Sequence, residues 1–105
     1  MDKQRLHAGA MTVMRIADHM SGDILEGTYR GEDYAKRLAR ITQFCEELEQ
    51  SGDIRLQRLS RVIYGVFTDL QTIAERGESA SAAKIVRNKA REFQRIMTDV
   101  MSDGN

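Results

Sequence analysis

The side chains able to do metal or nucleophile chemistry are few and widely spaced. His7 and His19 are the only imidazoles, and on one helix their twelve-residue separation corresponds to about 18 Å, far beyond a shared coordination sphere. No His-x-x-x-His or Glu-x-x-His pair occurs, and Cys45 is the only thiol, so the residue sets of a zinc or di-iron centre are missing. Cys45 sits in an apolar repeat with no basic neighbour at heptad spacing, which describes an inert core thiol rather than an activated one. Serines and aspartates are present without a nucleophile elbow, and no strand precedes any glycine, so a phosphate-cradling loop is not expected either. An all-helical enzyme that binds a dicarboxylate would need cations on its buried stripes, and here the Arg residues fall off them. The expectation is a non-enzymatic chain with no catalytic residue, no metal and no cofactor.

Two other sets of residues point to binding. Met11, Met14 and Met20 lie near the start of the chain, and Met97 and Met101 near its end. Unbranched thioether chains adapt to irregular surfaces, so five methionines on adjacent terminal helices would suit a groove that receives an amphipathic helix of another protein. Lys84, Arg87, Arg91 and Arg95 are spaced by three, four and four, which lines them along one helix face. Arg55, Arg58 and Arg61 form a shorter line. Either could follow a phosphate backbone. Against that, Glu75, Glu78, Glu92 and Asp99 lie close by in sequence and no stacking aromatic is interleaved. A nucleic-acid-associated regulator using the four residues from Lys84 to Arg95 is therefore the alternative reading.

The elements that must position these groups are helices. The longest helical repeat runs from Asp53 to Ala74, where Leu56, Leu59, Ile63, Val66, Leu70 and Ile73 step by three or four onto one stripe. Val62, Phe67 and Ala74 widen it beyond a two-helix seam, so several neighbours should pack on it. Leu6, Ala10, Val13, Ala17, Met20 and Ile24 make a second stripe, and Tyr34, Leu38, Ile41, Cys45 and Leu48 a third. Ala82, Val86, Ala90, Phe93, Met97 and Val100 make a fourth. The helices are predicted at about 3–25, 32–50, 53–75 and 80–101, with residues from Ser102 to Asn105 fraying. Gly9 inside the first helix costs roughly 1 kcal/mol against Ala unless a neighbour approaches closely there. Ser21-Gly22-Asp23 could interrupt that helix, but an unbroken run to about Leu25 is expected. Gly52 suits a left-handed C-cap, Asp53 an N-cap for the third helix, and Ser79 or Ser81 an N-cap for the fourth.

Length and composition agree. The 105 residues suffice for one domain with a modest core. Pro and Trp are absent, and six Met are present, a composition for uninterrupted helices. Sixteen basic residues balance sixteen acidic ones, which gives no general attraction to nucleic acid or anionic lipid. With one cysteine, no eighteen-residue apolar run and no cleavable leader pattern, the expectation is a cytoplasmic protein without a membrane span. The predicted fold is all-α, a small antiparallel four-helix bundle spanning 1–105. Its modest core calls for a homo- or hetero-oligomeric partner.

Around the second turn the sequence resembles the flagellar export chaperones that hold flagellin monomeric before secretion. Glu46-Glu47-Leu48 ends a helix, Ser51-Gly52-Asp53-Ile54 follows, Tyr64 comes twelve residues after the glycine, and a break precedes a last amphipathic helix. The likeness spans about Ala35 to Met97. Met14-Arg15-Ile16-Ala17 stands where that family carries an apolar-Tyr-Asp-Gly segment, and no tryptophan closes the fourth helix. The resemblance implies a cytoplasmic bundle that holds an export substrate helix, and so a protein-binding module, an adaptor or secretion chaperone.

Overall fold

Stripes that step by three and four bury themselves only against other helices, and in the computed structural model, which describes residues 1–102, they do so. The elements are α1 (Lys3–Glu26), α2 (Gly31–Gln50), α3 (Ile54–Arg76) and α4 (Ala82–Ser102), with a 3-10 turn at Ser79–Ser81 leading into α4. There is no strand among the described residues. Beyond Ser102, the fraying expected of the C-terminal residues lies outside them. The expected all-α four-helix bundle is thus the fold, and α1 runs through Ser21-Gly22-Asp23 without a break.

Local chemistry sets each end. Asp2 accepts a hydrogen bond from the Arg5 amide at 2.8 Å, which satisfies one of the unpaired donors of the first turn of α1. Glu32 and Asp33 stand in the first turn of α2, opposite the partial positive charge of its amides. In the α2–α3 turn the Ser51 hydroxyl donates to the Leu48 carbonyl at 2.6 Å, and the chain reverses through Gly52 at φ 77°. A side chain would be strained there. Asp53 then accepts from the Arg55 amide at 2.9 Å and starts α3. The entrance to α4 differs from expectation. Ser79 and Ser81 form part of the 3-10 turn, and the turn itself, rather than a serine side-chain cap, leads the backbone into the helix.

Three cross-links show the antiparallel order. Arg5 at the start of α1 pairs with Glu47 near the end of α2 at 2.9 Å. The Lys3 ammonium donates to the Met101 carbonyl at 3.1 Å, and Arg55 at the start of α3 lies 3.8 Å from Asp99 of α4. These exposed pairs stabilise little, but they fix which ends meet. α1 and α3 are in contact through the middle of the bundle, while α2 and α4 flank them and do not touch each other. α3 accordingly buries Leu56, Leu59, Val62, Ile63, Val66, Phe67, Leu70 and Ile73, the widest apolar face of the four.

The α1–α2 contact depends on Gly9. It is buried, and a Cβ built there would stand 2.5 Å from Cδ1 and Cζ of Phe44, well inside the 3.5–4.0 Å of ordinary carbon contacts. The helix-weakening glycine is therefore explained by close approach. α4 is the least buried helix. Between Ala82 and Phe93 none of its residues is fully buried, and Ile85, Val86, Lys89 and Ala90 are half-covered.

Candidate binding surface

α4 lies on the groove between α1 and α3 with its apolar stripe only partly enclosed. Beneath it a cavity of about 20 Å³ is bounded by Val13, Met14 and Ala17 of α1, Ile63 and Val66 of α3, and Val86, Ala90 and Phe93 of α4. That is room for about one water, in a lining that is apolar except for Lys89. No ligand fits inside the bundle at this point. Above the cavity the stripe surfaces along the α1–α4 seam, where Met14, Val86, Met97 and Met101 are half-buried against the core and Ala90 is half-exposed. This seam is the candidate surface.

The methionines divide three ways. Met14, Met97 and Met101 lie on the seam. Met11 is 43% exposed, further round α1 and nearly opposite its buried face. Met20 is 0% exposed and part of the core, so its place in a surface groove is corrected: its heptad position points it at the bundle axis. The structure thus gathers three of the five, joined by Val86 and Ala90, which sequence reasoning had assigned to the core stripe.

The basic residues also divide. Lys84, Arg87, Arg91 and Arg95 are all exposed and enter no ion pair among the described residues. The second basic line is split. Arg55 turns to Asp53 at 2.9 Å and to Asp99, whereas Arg58 and Arg61 share a groove of about 260 Å³ with Lys89 and Glu92 of α4. Two basic segments far apart in sequence thus meet across α3 and α4, with a carboxylate among them.

A polar cluster that the sequence did not reveal closes the opposite end of α1. The buried Tyr34 hydroxyl donates to the Asp23 carboxylate at 2.5 Å, the Thr28 hydroxyl donates to it at 3.1 Å, and His19 Nε2 lies 3.6 Å away. The Tyr34 hydroxyl, above all, holds the Asp23 carboxyl below its ordinary value. Burial, with the facing carboxylate, pushes the Tyr34 phenol well above its own. Arg37 covers the ring at 5.1 Å and Tyr29 stacks on it at 5.5 Å. The one available signal was His19 and Asp23 at i and i+4. The arrangement ties the end of α1 to the start of α2. His7, like His19, is exposed.

Among the described residues no three His, Cys, Asp or Glu side chains are grouped to hold a metal ion, and none of their helices is long and apolar enough to cross a membrane. Cys45 is fully buried, its Sγ 4.0 Å from the Ser60 carbonyl, and burial pushes its thiol up to about 11. Between α1 and α2 a groove of about 210 Å³ carries Arg5, Thr12, Arg40 and Gln43 above Phe44 and Ile41, and Arg5 is already engaged by Glu47. No family model, curated protein or solved structure matches the chain.

Proposed function

We propose that the chain is a non-enzymatic protein-binding module, an adaptor or export-type chaperone acting in the cytoplasm, which holds an amphipathic helix of a partner along the α1–α4 seam. The observation that carries this reading is the half-buried strip of Val86, Ala90, Met97 and Met101 on α4, with Met14 of α1 beside it. Burying a strip of that kind against a partner's apolar face removes more apolar surface from water at about 25 cal/mol per Å². The helix order and the Ser51-Gly52-Asp53-Ile54 turn, which resemble flagellar export chaperones, favour an export substrate as the partner.

The test is retrieval of partners from the native host with the wild-type chain and with Met14→Glu and Ala90→Glu, each shown folded by circular dichroism. A partner retained at elevated salt by the wild type and lost by both variants supports the reading, since apolar contacts tolerate salt. A partner held equally by all three proteins overturns it.

A further inference from the structure

One cation of α4 stands where its helix is otherwise apolar. Ala82, Val86, Lys89, Phe93, Ile96 and Val100 step by four, three, four, three and four, the spacing of a single core-facing stripe, and Lys89 alone among them is charged. It is half-buried. Of the other described Lys and Arg residues only Arg55 is covered to that degree, and Arg55 is held by Asp53 and Asp99, whereas Lys89 enters no ion pair among the described residues. Lys89 borders both the apolar cavity beneath α4 and the groove of about 260 Å³ between α3 and α4. An aliphatic stem that crosses the apolar layer and a charged head that leaves it account for both contacts. Arg58 and Arg61 reach the same groove from α3, and Glu92 is its carboxylate. Three cations against one carboxylate leave two positive charges in excess, and none of the four groups is paired among the described residues.

We propose that this groove binds a small phosphate monoester that also carries hydroxyl groups. Its phosphate lies among Lys89, Arg58 and Arg61, and a hydroxyl donates to Glu92. The excess of two positive charges matches a phosphate dianion, and guanidinium forks pair with phosphate oxygens in a planar geometry that an ammonium complements as a point charge. A partly desolvated ammonium without a partner costs stability, so an anion brought to Lys89 removes a penalty that an ordinary surface lysine does not carry. The groove falls below the roughly 300 Å³ at which pockets for drug-sized ligands begin, so the occupant is small. Glu92 repels a bare anion and rewards a donor, which favours a hydroxyl-bearing ester over free phosphate. A nucleic-acid backbone offers no gain at Glu92 and finds no aromatic to stack its bases. The site lies on the α3 side of α4 and uses no residue of the α1–α4 strip, so it stands or falls independently of the seam.

Calorimetric titration of the full chain with glucose 6-phosphate, methyl phosphate and glucose, at one ionic strength, tests this. Glucose 6-phosphate is expected to bind about tenfold more tightly than methyl phosphate, and glucose is expected to give no binding. Lys89→Met keeps the stripe apolar and close in volume, so it should stay folded by circular dichroism while weakening both phosphates about tenfold or more. Lys89→Gln serves the same purpose if the Met variant does not fold, and Arg58→Gln with Arg61→Gln should weaken both phosphates as well. Glu92→Gln should tighten methyl phosphate and abolish the advantage of glucose 6-phosphate. Absence of binding by either phosphate up to about 10 mM, or equal binding by the wild type and a folded Lys89 variant, overturns the site. Equal affinity for the two phosphates, unchanged in Glu92→Gln, overturns the hydroxyl-bearing ligand and leaves a plain anion site. Binding of a mixed-sequence DNA duplex more tightly than glucose 6-phosphate, lost in the Lys89 variant, assigns the groove to nucleic acid instead.

Discussion

Gly9, Gly22 and Gly65 all lie inside helices, and replacing each by Ala separates close packing from helix propensity. Gly22 and Gly65 have nothing within 4 Å of an added Cβ, whereas Gly9 meets the Phe44 ring. In open positions Gly→Ala should stabilise by about 0.5–1 kcal/mol, because Ala loses less conformational freedom on entering a helix. At Gly9 the same gain is set against overpacking, which costs about 1–3 kcal/mol in a filled core. Phe44 is only 3% exposed and Arg5 lies over its ring at 5.6 Å, so the ring has little freedom to retreat. The net expectation for Gly9→Ala is a loss of about 1 kcal/mol, while Gly65→Ala gains a similar amount. For a domain of this size those changes correspond to melting-temperature shifts of about 4–8 °C in opposite directions. Urea melts of both variants, and of Gly9→Ala in a Phe44→Leu background, measure the coupling. With the ring removed, Gly9→Ala should become neutral or stabilising. If Gly9→Ala alone raises stability as much as Gly65→Ala does, the close approach of α1 and α2 is wrong.

Acid should loosen the α1–α2 end. The Asp23 carboxyl is held below its ordinary value chiefly by the Tyr34 hydroxyl, so the folded state holds that proton less tightly than the unfolded one. The stabilisation is therefore complete above the ordinary carboxylate value and is lost as pH falls through it towards the folded value. Melting temperature should drop below about pH 4, and Tyr34→Phe should move the Asp23 carboxyl upward in a carbon-detected NMR titration; an unmoved titration would discount the hydrogen bond. Cys45, with its thiol raised from 9.0 to about 11, should carry about a hundredfold less thiolate than an ordinary cysteine at pH 8. Its native-state labelling by an aromatic disulfide should then proceed only by opening of the bundle, and rapid labelling without unfolding would contradict its burial. Asp53→Ala should cost about 0.5–2 kcal/mol through loss of the α3 cap, read from the midpoint of a urea melt, and a cost near zero would show that the turn is held by Gly52 and Ser51 alone.

The sequence determined the four helices and the bundle they form. Step-three and step-four spacing acts within one segment, and the stripes from Leu6 to Ile24 and from Leu56 to Ile73 say which side is apolar whatever the neighbour is. The left-handed Gly52 and the Asp53 cap were legible for the same reason, since turn and cap chemistry involves only a few adjacent residues. Cys45 could be placed in the core and the Arg line of α4 in solvent from the stripes alone. Which stripe residue reaches the surface was another matter. Spacing sets Met20 on the stripe and Met14 beside it, and only the seating of α4 over α1 and α3 leaves Met14 half-buried at a seam while Met11 stays exposed. The same holds for Gly9 against Phe44 and for Tyr34 donating to Asp23. Each depends on the axial register and rotation of one helix against another, and these are fixed by packing summed over the whole core, not by spacing within a segment.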